Sequence, residues 1–272
     1  MTHRHLPAFY INLAHRPDRR AFIEGQLDAL GLSYQRIEAV SVERVPASAA
    51  AICTDPDTPW RINLPTVACA LSHRLAWQAI VESGLPAGLV LEDDVIVAPS
   101  MSGFLAPDIL KTIGAPLLRL ETWGSRVRLA SRRTRLSGTS RVASMIGTQA
   151  GAAAYIISSD LARRALSDPD SCSMEVDRYL FGRGGRWLLE VPVAQAIPAP
   201  CVQLGNRRTA EPSPLGQSDI GGQSPRIEQS RQARRSRAIA NRRYTLHVVA
   251  RLLADPAALL SSPAPVPFAG DA

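Results

Sequence analysis

Three short strand-like runs, residues 7–13 (PAFYINL), 33–40 (SYQRIEAV) and 88–91 (GLVL), the first and third of them apolar, alternate with two stretches of helical periodicity, and that alternation is what most restricts the fold. Between the first two runs, Phe22, Ile23, Leu27 and Leu30 recur at the spacing of one helix face, and Gly31 is placed to end that helix. Residues 66–83 repeat the pattern before the third run, with His73, Trp77 and Ile80 on one face and Gly84 and Pro86 beyond the end. Strand–helix–strand order of this kind builds a mostly parallel sheet flanked by helices, so the sequence predicts an α/β fold. Residues 41–65, broken by Pro46, Pro56, Pro59 and Pro65, read as loop with short helical turns. Further along, 95–99, 115–121 and 151–158 read as strands and 124–141 as an exposed hairpin or loop. A helix capped by Ser159 or Asp160 follows, then a short strand and extended chain over 186–202 and loop over 205–225. Residues 244–260 read as an amphipathic helix stopped near Asp255 and Pro256.

The third run ends in three consecutive carboxylates, Glu92, Asp93 and Asp94. That placement sets them at the carboxyl edge of the sheet, where open α/β folds bind ligands. Adjacent carboxylates repel, and one takes up a proton unless a cation compensates. A hard divalent ion, Mg²⁺ or Mn²⁺, is the natural partner and also holds substrate phosphates. The competing reading is an acidic turn with all three side chains in water, which the apolar residues on both sides disfavour. Asn12, Arg16, Asp18, Arg19 and Arg20 follow the first strand and reach the same edge, where arginines hold a diphosphate or fork onto carboxylates. Taken alone, that segment reads equally as a solvated helix start. His73 shares its face with Trp77 and Ile80, which by itself favours a satisfied core histidine over a base. Asp177, in MEVDRYLF (174–181), either reaches the same edge or caps a helix.

Composition narrows the partners. Apolar residues are 46% and charged residues 20% of the 272, ordinary for a globular enzyme. The net charge is +7, and residues 226–243 carry seven arginines against one acid, Glu228, so the body is nearly neutral. No aromatic is interleaved with those arginines before Tyr244, and no nucleic-acid partner is expected. A basic tail over 226–260 fits peripheral contact with an anionic membrane, or else a solvated arm. The domain division expected is therefore 1–225 and 226–272. Four widely spaced cysteines suggest neither a zinc site nor a disulfide framework, and no apolar run is long enough for a signal peptide or a membrane span. The location expected is cytoplasmic, peripheral on the inner membrane.

In their order, YINLAHRPDRR (10–20), CALSHRLAWQAIVESGLPAGLVLEDDV (69–95), GAAAYIISSDLARRAL (151–166) and MEVDRYLF make the chain resemble the family 25 glycosyltransferases. These are the lipooligosaccharide galactosyltransferases of bacteria and the related collagen galactosyltransferase domains. The resemblance continues weakly through VPVAQAIPAPCVQ (191–203) to Ser218 and Ile220, and its most specific element is the LSH helix followed by LEDDV. It implies a GT-A-like, Rossmann-like fold, a UDP-sugar donor with galactose the expected sugar, a saccharide or glycolipid acceptor, and inversion at the sugar carbon. Glu92, Asp93 and Asp94 would hold the Mn²⁺ or Mg²⁺ and the donor diphosphate, with Asn12, Arg16 and Arg19 near the nucleotide. His73 and Asp177 match family positions, and Asp177 is the expected general base, with Asp93 the second choice. One departure stands out: where the family reads G-E-I-G-C, this chain has Pro65-Thr66-Val67-Ala68-Cys69. The missing carboxylate bears on acceptor binding or helix capping, and leaves an inactive relative serving as a scaffold as the alternative.

Overall fold

The computed structural model describes residues 5–206, 214–216, 228–260 and 262–271. Its opening follows the expected alternation. Strand β1 (Ala8–Asn12) leads into α1 (Pro17–Ala29), and β2 (Tyr34–Glu38) returns parallel to β1. Helix α1 starts earlier than the apolar periodicity suggests, because Pro17 occupies its first turn, where a missing N–H costs nothing. Gly31 takes φ 63° just past its end. After two 3₁₀ turns and the short α2 (Ala47–Ala50), helix α3 (Leu64–Glu82) crosses back to β3 (Ala87–Glu92), which lies parallel on the other side of β1.

The rest of the sheet is built from β5 (Leu117–Arg119), β7 (Leu129–Arg135), β8 (Arg141–Met145), β9 (Ala154–Ser158) and β10 (Val193–Ile197). The order across its eight strands is β2-β1-β3-β9-β5-β10-β8-β7. Strands β9 and β8 run against the other six, so the sheet is mostly of one direction with a reversed strand beside β3. Small pairs flank it: β4 (Val95–Val97) with β11 (Cys201–Gln203), and β6 (Arg126–Val127) with β12 (Ala264–Pro265). The expected hairpin over 124–141 is the β7–β8 edge.

Two cores sit on the two faces of the sheet, as the alternation of strand side chains requires. Phe9, Val90, Tyr155 and Ile157 face α3, with α5 (Ser159–Leu166), α6 (Val176–Phe181) and α7 (Trp187–Glu190) on the same side. Ala8, Tyr10, Leu89, Leu91 and Ile156 face α1 and α4 (Ile109–Ile113). Gly88 is required here, since a Cβ would lie 2.7 Å from Ile80 and 2.8 Å from Phe9. Helix α5 is capped by Ser158, one residue before the expected cap, and α7 is a turn hidden among the prolines of 186–202.

The helix of the tail begins earlier than the expected 244–260. Helix α8 (Arg231–Ala254), capped by Ser230, ends at Asp255, and α9 (Pro256–Leu260) follows. Tail and body are tied by Gln229 donating to the Thr58 carbonyl at 2.9 Å and by Tyr244, whose hydroxyl accepts from the Thr148 N–H. Beyond α9, Val266 and Phe268 bury themselves against the body. Most of the loop expected over 205–225, with Ser218, Ile220 and also Arg226, lies outside the described residues.

Candidate functional site

The local sequence fixes where each site residue points. Asn12 is the last residue of β1 and Glu92 the last of β3, so both stand at the carboxyl edge of adjacent parallel strands. Glu92 continues the face of Gly88 and Val90 and meets α3; Asp93, one residue on, turns toward α1. The Asn12 amide donates to Asp93 Oδ2 at 2.7 Å and to the Arg16 carbonyl at 3.0 Å, and its oxygen accepts from Arg36 Nε. Arg19, buried on α1, donates to Asp93 Oδ1 at 3.1 Å and lies 3.9 Å from Asp94 Oδ2. Arg16 turns its guanidinium to Asp18 at 2.9 Å and adds positive field at Asp93.

The carboxylates differ in how they are satisfied. Both Asp93 oxygens are engaged, and burial still outweighs Asn12 and Arg19, raising its pKa above the ordinary carboxylate value. Burial, helped by the Asp93 and Asp177 charges, pushes Glu92 up to about 7. Asp94 also rises to about 7, from burial and the Glu92 charge against the pull of Arg19. Gln203, at the end of β11, donates to Glu92 Oε2 at 3.2 Å and to Asp94 Oδ1 at 3.4 Å. Glu92, half-buried, and Asp94, buried, are thus an acidic pair short of positive charge.

His73 is wired into this pair. Its Nδ1 lies 2.9 Å from the Tyr155 hydroxyl, and Nε2 lies 3.3 Å from Glu92 Oε1. Trp77 donates its indole N–H to the same hydroxyl at 2.7 Å. The indole takes one lone pair of that hydroxyl; with the Tyr155 proton given to Nδ1 and the imidazole proton on Nε2 toward the Glu92 carboxylate, each of these polar groups has a partner, and this satisfaction selects that tautomer. Burial drives the His73 pKa down to about 3, so the ring is neutral. Cys69, one turn before His73, completes a group whose ligand atoms lie within 4.8 Å of one another. Burial pushes its thiol up, and the proton on Nε2 occupies the lone pair an ion would need.

Two clefts open on either side of the pair. The first, about 300 Å³, runs over the ends of β1 and β2 past Leu13, His15, Val40, Ser41 and Glu43 to Arg19 and His73. The second, about 460 Å³, holds Thr66, Trp123, Gly151, Glu175 and Asp177. Cys69, Glu92, Asp94 and Gln203 line both. Asp177 sits in the first turn of α6 with Oδ2 accepting the Gly151 N–H at 2.9 Å. The sheet edge therefore gathers Asn12, Arg19, His73, Glu92, Asp93, Asp94 and Asp177, while Arg16 stands at its rim. Gln203, Tyr155 and Trp123 were absent from the candidates read in the sequence. Only Gln203 left a signal there, as the polar end of an apolar run.

A sheet of this order, with an acidic edge shared by two clefts, has the architecture of a GT-A-type glycosyltransferase. The profile of glycosyltransferase family 25 (LPS biosynthesis protein) matches residues 5–180, and the chain belongs to that family. Among its relatives is the lacto-N-neotetraose biosynthesis glycosyltransferase LgtE of Neisseria gonorrhoeae, 28% identical over 208 residues, 71% of this chain and 72% of the relative. The lipooligosaccharide biosynthesis protein lic2B of Haemophilus influenzae is 24% identical over 147 residues, 51% of this chain and 53% of the relative. A glycosyltransferase 25 family member of Drosophila melanogaster is 30% identical over 99 residues, 34% of this chain and 16% of the relative. No helix among the described residues is long and apolar enough to cross a membrane.

Proposed function

We propose that this glycosyltransferase moves a sugar, galactose by its family resemblance, from a UDP-sugar to a saccharide or glycolipid acceptor in lipopolysaccharide or lipooligosaccharide assembly. One observation carries the proposal: two clefts meet at Glu92 and Asp94, so donor and acceptor held on either side react where the carboxylates stand. The nucleotide takes the first cleft, along the ends of β1 and β2 beside Arg16 and Arg19.

The acidic pair fits Mn²⁺ or Mg²⁺. Asp93 is spent on Asn12 and Arg19, whereas Glu92 and Asp94 meet Gln203 and face both clefts, so these two are assigned as ligands and Asp93 as the residue that anchors Arg19. When bound, such an ion supplies Lewis-acid compensation for charge on the leaving diphosphate. His73 holds Glu92 in orientation through its Nε2–H and acts as a positioning residue. Asp177, held by the Gly151 N–H in the second cleft, takes the proton of the acceptor hydroxyl as its oxygen attacks in line, which inverts the sugar carbon. Calorimetry of UDP-galactose with and without Mn²⁺, run on wild type and Asp177→Asn, tests the assignment. The variant binds donor as wild type does, while transfer falls by about 10²–10⁴-fold. Normal turnover in Asp177→Asn would sink the base assignment, and metal-independent donor binding would sink the role of the pair.

The outer face of α8 supports a membrane-peripheral enzyme. Ile239, Leu246, Val249 and Leu253 are exposed there, in line with the exposed Arg235 and Arg242. Apolar and basic residues on one outward face suit an anionic leaflet, where a glycolipid acceptor is found.

A further inference from the structure

Trp123 is the single exposed aromatic side chain among the described residues, at 43%, and it stands in the wall of the second cleft. Two of the other tryptophans, Trp77 and Trp187, are buried. Trp60 is covered by the guanidinium of Arg178, 4.4 Å from its ring. A large ring left in water forgoes the stabilisation of burial, and a cleft that combines an aromatic wall with a few convergent polar groups has the make-up of a ligand site.

The ring is also held. Its indole N–H donates to Glu121 Oε2 at 3.2 Å, and Glu121 is fully buried, its other oxygen accepting the Ala153 N–H at 2.7 Å. The backbone beneath it is pinned by Thr122, whose hydroxyl donates to the Val266 carbonyl and whose N–H donates to that of Cys201. Gly151 makes room: at φ 90°, a Cβ there would lie 2.4 Å from Trp123 Nε1 and 2.7 Å from Glu121 Oε1. The same glycine donates its N–H to Asp177. One residue without a side chain thus sets the indole and the carboxylate side by side.

We infer that Trp123 is a stacking platform for a pyranose ring of the acceptor, an inference that rests on the glycosyltransfer proposed above. The apolar C–H face of a pyranose packs on the indole, and the ring edge, rich in hydroxyls, turns toward Asp177. Glu121 acts as a positioning residue, since it keeps the indole N–H occupied and the face open.

The test pairs a binding readout with kinetics. Protein carrying ¹⁵N-labelled indoles is titrated with the methyl β-pyranosides of glucose, galactose and N-acetylglucosamine, with and without UDP and Mn²⁺, and the Trp123 signal is identified by its loss in Trp123→Phe. At least one saccharide shifts the Trp123 signal and leaves those of Trp77 and Trp187 in place. In Trp123→Ala the acceptor KM rises about tenfold, equivalent to about 1.4 kcal/mol, and the calorimetric Kd for UDP-galactose stays within about twofold of wild type, the scatter of one partial contact. Trp123→Phe recovers part of the loss, and Glu121→Gln, which sets an amide against the indole N–H, falls between. An unmoved Trp123 signal, an unchanged acceptor KM in Trp123→Ala, or a loss of donor affinity as large as that of acceptor would overturn the platform. Failure of wild type to bind any UDP-sugar overturns the glycosyltransfer proposal instead, while the titration without nucleotide still decides for or against Trp123.

Discussion

Asp94→Asn should make the metal-free protein more stable and, in the same step, abolish its response to metal. Asp94 is buried against Glu92, and its pKa stands at about 7 where an ordinary aspartate has 3.8. Between those values the folded protein holds a proton that the unfolded chain has lost. Wild-type stability therefore falls as pH rises through this window and levels off above about 7. At about 1.4 kcal/mol per pH unit the full difference is about 4 kcal/mol; sharing the repulsion with Glu92 brings the gain from asparagine to about 2–4 kcal/mol. For a chain of this size that is a rise in Tm of roughly 5–10 °C. Thermal melts in EDTA at about pH 5 and about pH 8 read it, with the gap wide at the higher pH and narrow at the lower. Adding Mn²⁺ reverses the order, since only the wild type has the carboxylate that ligand binding stabilises. A variant melting at or below wild type at high pH, or a gap that does not shrink on acidification, refutes the account of the acidic pair.

Two more predictions follow from named contacts. Tyr155→Phe strips the shared hydroxyl from Trp77 and His73, leaving both without that partner in the core; it costs about 1–3 kcal/mol, and ¹⁵N imidazole shifts, which report protonated Nε2 in wild type, report a mixture of tautomers in the variant. A wild type protonated on Nδ1 would refute the relay to Glu92. Leu246→Ser with Leu253→Ser removes two exposed leucines worth about 1.5–3 kcal/mol each on burial, so sedimentation with anionic vesicles should weaken more than tenfold while neutral vesicles bind neither protein. Equal sedimentation of both proteins would refute the membrane face.

The opening of the fold was legible because its signals are local. Apolar periodicity and Gly31 specify β1, α1 and β2 over a few dozen residues, and the run into Glu92 marks β3 by the same logic. The reversed β9 was not legible, since the apolar run Ala154–Ser158 suits either direction and only its pairing with β3 and β5 decides. Among the site residues, those on strand ends or on α3 and α6 carried sequence signals of their own. Trp123 and Glu121 did not, and Gln203 left only the polar end of an apolar run, because the roles of Gln203 and Glu121 come from contacts far along the chain and Trp123 is placed through Glu121. Gln203 meets Glu92 across 111 residues, and Glu121 meets Ala153 across 32. Helix α8 was read short because its first half is rich in arginine and alanine, which favour a helix but leave no strong apolar period to find.

The departure at Thr66 can now be located. Asn63 caps α3, and its Oδ1 accepts both the Thr66 N–H at 3.0 Å and the Thr66 hydroxyl at 2.7 Å. A glutamate at this third helical position would reach back to the cap and favour the helix amino terminus by its charge. Threonine keeps the cap closed without that charge. Its place is the second cleft, beside Trp123 and Asp177, and it does not line the first. Asn12, Arg19, Glu92, Asp93, Asp94 and Gln203 form their contacts without it. Asp177, in the same cleft as Thr66, likewise keeps its hydrogen bond from the Gly151 N–H. The substitution bears instead on the shape and polarity offered to the acceptor, which argues for a different acceptor and against an inactive scaffold.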